Sequence, residues 1–309
     1  LYWVARHMER VENTARLIDV TRRMALLPDR LDRGRAESSS WRRALDALGS
    51  AGDFAARHGA VEPDAVLRYL TLDAGNPSSI ISCLRAARES ARAQRVAITA
   101  EMYEDLNTAW IDMRALTWER LRDTGVSAFV DWVKSRAASF RGVTIGTLAR
   151  GEGYQFLHLG TFIERADWAI RLLDIKSDAD GVGEAVDYYQ WSALLHALSA
   201  FESYRHSHRD ALSGDRVIAH LLLDESNPRS LVTCLIALHR GLSQMVPDRR
   251  VEVVRQADAL ASGIRYATIE EIRSRELEPW LQGMMERLVT LGQAIGEQFM
   301  RAPDNGDLE

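Results

Sequence analysis

The apolar residues at the start of the chain recur with the spacing of one face of an α-helix. They are Leu1, Val4, Met8, Val11, Ala15 and Ile18. A second stripe with the same spacing consists of Phe156, Leu159, Ile163, Ala166, Ile170 and Leu173. Apolar residues that recur every three or four positions form the side of a helix that packs against a core. Both stripes therefore predict long helices that face the core.

Helical spacing continues along most of the chain, and no segment shows the alternation that is typical of a β-strand. Further helices are predicted at 41–58, 63–72, 77–120, 126–148, 184–205, 214–223, 228–245, 249–262 and 278–301. Loops are expected at 28–40, 141–153 and 176–184, and a disordered tail at 302–309. The predicted fold class is all-α.

An internal repeat organises this helical pattern. The segment ERVENTARLIDV at 9–20 aligns with ERADWAIRLLDI at 164–175, and five aligned positions are identical. Later in each half, DAGNPSS at 73–79 aligns with DESNPRS at 224–230. The matches keep the same order at nearly the same offset, as expected of a duplicated unit. We therefore predict two tandem, pseudo-symmetric helical-bundle repeats, 1–149 and 150–301, in one compact protein.

The polar sides of the repeated helices carry the main candidates for function, because helical spacing brings several charged side chains together on each helix. The candidates from the repeats are Glu9, Arg10, Glu12, Asn13, Arg16, Glu164, Arg165, Asp167 and Arg171. A charged run in the first half adds Arg88, Glu89, Arg92, Glu101 and Asn107. The pattern assigns a catalytic role to none of them.

Three interpretations of this candidate cluster remain open. The charged residues could form weak ion pairs on a helix surface, four positions apart. They could instead form a buried, hydrogen-bonded brace between the two repeats. In the third interpretation they line a pocket between the halves, where arginines hold a carboxylate or phosphate and glutamates hold an amine.

The two Asn-Pro steps have a local explanation. Asn76 and Asn227 are of the residue type that caps a helix N-terminus, and Pro77 and Pro228 suit the first helical position. We therefore predict that both asparagines are helix caps.

Composition narrows the class of protein. The 309 residues include 39 basic and 44 acidic side chains, a formal net charge of −5, with no basic stripe suited to a nucleic acid. Cys83 and Cys234 are too few for a disulfide framework, and nothing near them has the spacing of zinc ligands. No nucleotide-binding loop or long apolar run is present. We expect a cytoplasmic protein with no metal or cofactor and with neither nucleic-acid nor membrane partners.

Several motifs resemble those of the bacterial alpha-E domain family, which is named for a helical domain with a Glu-Arg motif. They are LYWVARHMERVENTARL at 1–17, NPSSI at 76–80, RESAR at 88–92, EMYEDLN at 101–107 and FLHLGTFIERAD at 156–167. The resemblance covers essentially the whole chain. It implies an ATP-grasp ligase as partner, with a transglutaminase-like peptidase as a further associate, and it supplies no catalytic residues.

Two classes of function follow as expectations. The first is a helical accessory subunit of an ATP-grasp peptide or amide ligase, which presents a charged peptide-like or amino-acid substrate through the Glu-Arg helix faces. The alternative is a stand-alone enzyme that forms or cleaves amides, with Glu9 or Glu164 as a general base whose pKa is raised by burial. A purely structural scaffold would bind no such ligand.

Overall fold

The structure, a computed structural model, describes residues 1–25, 33–177, 184–210 and 212–300, and within these ranges it contains helices and no β-strand. The prediction of an all-α protein is confirmed. The first helices are α1 (Tyr2–Ala25), α2 (Arg33–Ala47), α3 (Ala51–His58), α4 (Pro63–Thr71), α5 (Ile80–Ala93), α6 (Ala100–Arg114), α7 (Trp118–Thr124) and α8 (Val126–Thr147). The helices that follow are α9 (Glu152–Ser177), α10 (Glu184–Ala197), α11 (Phe201–Ser207), α12 (Gly214–Leu222), α13 (Leu231–Met245), α14 (Glu252–Arg265), α15 (Ile269–Ser274) and α16 (Leu277–Phe299).

The two predicted stripes lie at the centre of the fold, because α1 and α9 pack against each other. Apart from the half-buried Leu1 and Phe156, every residue of both stripes is buried. The stripe of α1 belongs to an apolar cluster with α5 and α8, and the stripe of α9 belongs to one with α13 and α16. The two clusters are joined at this helix pair, since Tyr2 packs with the second cluster and Leu157 with the first.

A glycine allows α1 and α9 to approach closely. A Cβ atom added to Gly160 would lie 2.1 Å from the carbonyl oxygen of Tyr2 and 3.1 Å from the Cβ of Ala5. A backbone oxygen cannot turn aside as the end of a flexible side chain can, so any side chain here would push the two helices apart.

Several predicted helix boundaries are wrong. The predicted helix 41–58 is two helices, because the chain turns at Gly49, whose φ of +63° favours glycine. The predicted helix 184–205 is likewise broken between α10 and α11, where Ser199 has a φ of 55°. The predicted helix 77–120 contains a 3₁₀ turn at Arg95–Ala97 before α6 begins.

Two predicted loops are largely helical. Helix α2 begins at Arg33, inside the segment 28–40. Helix α8 continues to Thr147, which confirms the predicted helix 126–148 and shows that the overlapping loop prediction at 141–153 is wrong over 141–147. Serine and isolated glycine are weak helix formers rather than helix breakers, so packing of the neighbouring turns can override their propensity. Helix α15 was not predicted, although Thr268 and Glu271 form a capping box at its start.

Parts of three predictions lie outside the described residues. Residues 26–32 include the start of the predicted loop 28–40, and residues 178–183 belong to the predicted loop 176–184. Residues 301–309 include the predicted tail.

The asparagines of the Asn-Pro steps are not the helix caps, which corrects the prediction. Helices α5 and α13 begin three residues later, and Ser79 and Ser230 are their N-caps. The Oδ1 of Asn76 accepts from the backbone N–H of Ser78 at 2.9 Å, and the Oδ1 of Asn227 accepts from that of Arg229 at 3.0 Å. Asparagine commonly binds a backbone group two residues ahead, and here it closes the turn that precedes each helix.

Replacement of Gly160 by Ala is expected to lower the free energy of unfolding by about 1–3 kcal/mol, because the new methyl group collides with the backbone of α1. Urea denaturation measures this change. The matched control is Gly283→Ala in α16, where a Cβ meets no atom within 4 Å. That variant should be unchanged or more stable by up to about 1 kcal/mol. Equal effects at both sites would contradict the close approach of α1 and α9.

Candidate functional site

The two repeated Glu-Arg pairs bind each other across the contact between α1 and α9. The Nε and Nη2 atoms of Arg165 donate to the two carboxylate oxygens of Glu9 at 3.0 and 2.7 Å. In the same way, Arg10 donates to both oxygens of Glu164 at 2.6 and 3.0 Å. The glutamate of each pair therefore binds the arginine of the other pair, in the bidentate geometry that gives strong ion pairs.

Further arginines surround the same carboxylates. Arg6 donates to Glu164 at 2.8 Å, and Arg16 donates to Glu12 at 2.9 and 2.7 Å. Two more arginines come from other parts of the fold. Arg141 of α8 binds both Glu9 and Glu12, and Arg229, from the turn before α13, donates to Glu12 at 2.9 Å. We call this set the Glu-Arg network, and its members are Glu9, Glu12, Glu164, Arg6, Arg10, Arg16, Arg141, Arg165 and Arg229.

The network places its negative charges inside and its positive charges further out. The carboxylate side chains are 0–5% exposed, whereas the arginine side chains range from 9% exposed at Arg229 to 30% at Arg141. Three glutamates face six arginines in this set, so the network carries an excess of three positive charges.

The glutamates stay ionised in spite of their burial. Burial alone would raise the pKa of Glu9, but the nearby guanidinium groups of Arg165 and Arg229 outweigh it, and the pKa is lowered. The same balance, with other arginines, lowers the pKa of Glu12 and of Glu164. A general base that works near neutral pH needs a raised pKa. The lowered pKa values of Glu9 and Glu164 therefore give the general-base hypothesis no support.

Other residues of the predicted cluster lie at the edge of the network or apart from it. Asp167 and Arg171 pair with each other on α9 at 2.7 Å, four positions apart. Asn13 is 1% exposed, and its side-chain amide has no hydrogen-bond partner among the described residues.

The candidates from the charged run of the first half form a separate group on α5 and α6. Arg88 donates to Asn107 at 2.9 Å and to Glu89 at 2.5 Å, and Arg92 donates to Glu89 at 2.9 Å. Glu101 is exposed in the first turn of α6. None of the hydrogen bonds described for these residues reaches a carboxylate of the Glu-Arg network.

Sequence reasoning missed three arginines of the network. Arg6 lies within the first motif without belonging to the predicted cluster, and Arg141 lies where the predicted helix 126–148 overlaps the predicted loop 141–153. Arg229 had the clearest signal, because it stands where the aligned first-half motif has Ser78. The second half thus carries an arginine where the first half carries a serine. In the structure this arginine is buried, with 8% of its surface exposed.

A cavity of about 230 Å³ adjoins the network between α1, α8 and α9. Glu9, Arg141 and Arg165 line one part of it. His158 also lines it, and burial lowers the pKa of this histidine to about 4, so its imidazole is neutral near neutral pH. The remaining lining is mostly apolar.

The two cysteines are buried. Burial raises the pKa of Cys83 and of Cys234 to about 12, although a nearby arginine acts on each in the opposite direction. Neither thiol is a nucleophile at neutral pH, because the thiolate is the reactive form.

Outside the network, the side chains of Ser203, His220 and Asp224 are spaced like those of a catalytic triad. Ser203 Oγ lies 2.9 Å from His220 Nε2, and His220 Nδ1 lies 2.8 Å from Asp224 Oδ2. However, His220 is 1% exposed, and the Ser203 hydroxyl also donates to the carbonyl of Ala200 at 2.9 Å. These contacts link α11 to α12, and we interpret the group as a buried polar cross-link.

Within 1–25, 33–177, 184–210 and 212–300, no three His, Cys, Asp or Glu side chains form a group that could hold a metal ion. In the same ranges, no helix has both the length and the apolar character required to cross a membrane.

Acid is expected to destabilise the protein through the Glu-Arg network. The pKa of Glu164 is lower in the folded chain than its ordinary value of 4.5. Its stabilising effect is therefore complete above about pH 4.5 and is lost as the pH falls through the lower, folded value. Melting temperatures of the wild type and of Glu164→Gln, measured between pH 7 and pH 2.5, check this.

The variant should melt at a lower temperature than the wild type at pH 7, and the difference should shrink as the pH falls below 4.5. A difference that is constant over the whole range would show that the charge of Glu164 contributes nothing.

Comparison with known families gives one match. The Alpha-E family, described as a predicted alpha-helical domain with a conserved ER motif, matches residues 1–300. No curated protein and no solved structure matches the chain. The match spans nearly the whole sequence, and the helices and paired Glu-Arg residues described above agree with the family's description. The chain therefore belongs to the Alpha-E family.

Proposed function

We propose that this protein is a helical accessory subunit of an ATP-grasp peptide or amide ligase system, and that it presents a charged peptide-like or amino-acid substrate to the ligase. The motif resemblance supports the ligase as a partner, with a transglutaminase-like peptidase as a further associate. The surplus of arginine in the Glu-Arg network supports the charged substrate, and it is the observation on which the proposal rests.

The network is suited to an anionic group of the substrate. Every carboxylate oxygen of Glu9, Glu12 and Glu164 already contacts at least one guanidinium group. These glutamates therefore have little capacity left to bind an amine, which the sequence had suggested. The arginines keep unused N–H donors, and their planar guanidinium groups match carboxylates and phosphates.

The chemistry of the buried groups favours an accessory role over a stand-alone enzyme. The network glutamates have a lowered pKa, and the two cysteine thiols have a raised one. Neither set supplies a proton acceptor or a nucleophile that is poised near neutral pH. The amide-forming or amide-cleaving alternative thus gains no support from these residues.

A structural role is the second candidate, because the bidentate pairs join α1 to α9. It accords with our proposal that the chain consists of two pseudo-symmetric repeats, 1–149 and 150–301. In support of these repeats, α1 packs on α5 and α8, and α9 packs on α13 and α16. Helices α13 and α16 have the same positions in the chain order of the second half as α5 and α8 have in the first. A brace and a ligand site are compatible, since the carboxylates serve the first and the surplus arginines the second.

The ligase partnership is tested by mixing the purified chain with its cognate ATP-grasp ligase. We expect the two proteins to elute together in size-exclusion chromatography, and we expect the chain to increase ATP-dependent product formation from an amino-acid mixture. Separate elution together with unchanged product formation would contradict the proposal.

A further inference from the structure

We propose that the cavity between α1, α8 and α9 binds the carboxylate of a small ligand with an apolar body, such as an amino acid or the C-terminal residue of a short peptide. This inference rests on the proposed function and assigns the substrate's carboxylate to one place in the fold. We call this cavity the α8–α9 cavity.

Unbalanced positive charge at the cavity is the first reason. Within the network, Glu9 and Glu12 contact four arginines, which leaves two positive charges in excess at this end. These arginines are Arg16, Arg141, Arg165 and Arg229. Arg141 and Arg165 also line the cavity. A bound anion would relieve this imbalance.

The cavity admits the anion without breaking the network. The side chain of Arg141 is 30% exposed and that of Arg165 is 12% exposed, whereas that of Glu9 is 2% exposed and is already paired with both. A guanidinium group has five N–H donors, so each arginine can bind Glu9 and a ligand oxygen together. Two arginines and one paired carboxylate line this part of the cavity, so repulsion would disfavour a ligand amine.

His158 lines the cavity with an aromatic ring. Its Nδ1 atom is buried and makes no hydrogen bond among the described residues, and it faces α13, where a Cβ added to Gly241 would lie 3.7 Å from it. The ligand is therefore expected to contact the ring and not this atom. The imidazole is also held in place, because its ring centroid lies 4.5 Å from that of Phe162.

The rest of the lining indicates an apolar body. Ala5, Met8, Phe140, Leu157 and Phe162 contribute most of the wall, and its remaining polar side chains are Tyr154 and two threonines. Ligand sites commonly combine an apolar wall with a few polar groups that fix the orientation. The volume of about 230 Å³ suits a small molecule. A free phosphate ion would use the arginines but leave the apolar wall empty, so we favour a carboxylate on an apolar body.

Calorimetric titration of the full chain tests this assignment. The probes are N-acetyl-L-leucine, its amide, which lacks only the negative charge, and inorganic phosphate. We expect the carboxylate to bind at least about tenfold more tightly than the amide, because charge-assisted hydrogen bonds are about twice as strong as neutral ones. It should also bind more tightly than phosphate. Equal binding of acid and amide, tighter binding of phosphate, or no binding of the acid at millimolar concentration would overturn the proposal.

Variants locate the binding. Arg141→Gln should weaken binding of N-acetyl-L-leucine by about tenfold. His158→Ala should weaken it severalfold and tests the site independently if Arg141→Gln does not fold. The matched control is Arg92→Gln, which removes the same charge from a surface pair on α5. Unchanged binding in both cavity variants, or equal weakening in the control, would place the ligand elsewhere.

The ligase is absent from these titrations, so the two proposals fail separately. Loss of carboxylate binding would leave co-elution with the ligase unaffected. Loss of co-elution would leave a carboxylate site without the proposed partner.

Discussion

Three glutamates buried among helices can keep their charge only because arginines surround them. An ionised carboxylate moved out of water loses its hydration, and an unpaired one would take up a proton instead. In this protein each oxygen of Glu9, Glu12 and Glu164 meets a guanidinium group. Those arginines come from α1, α8, α9 and the turn before α13, so the need to neutralise three charges constrains how these elements lie together.

Sequence reasoning succeeds where periodicity controls the structure. It places the apolar stripes of α1 and α9 in the core, and it selects Glu9, Arg10, Glu164 and Arg165, which meet at the centre of the fold. It fails where distant segments decide the outcome. No local pattern shows that Arg229, more than 200 positions from Glu12, completes its carboxylate. Helix boundaries fail for a related reason, since packing overrides the weak preferences of serine and glycine.

The glutamates and the arginines of the network differ in what they can do. The carboxylates are ionised and fully paired, and those of Glu9 and Glu164 join α1 to α9. The arginines outnumber them and extend toward the surface, where Arg141 and Arg165 line a cavity with apolar walls. Buried charge is an uncertain source of stability, because well-packed apolar residues can often replace it. Three arginines would balance the charge of the three glutamates, and the proposed recognition of an anion gives a reason for the other three.

A double-mutant cycle on Arg10 and Glu164 measures directly whether the Glu-Arg pairs hold α1 and α9 together. The free energy of unfolding is determined for the wild type, Arg10→Met, Glu164→Gln and the double variant. Because these side chains share two charge-assisted hydrogen bonds in a buried setting, we predict a coupling energy of at least about 1 kcal/mol. The corresponding cycle on the surface pair Arg92 and Glu89 should give a much smaller value. A coupling between Arg10 and Glu164 no larger than that of the surface pair would contradict the account.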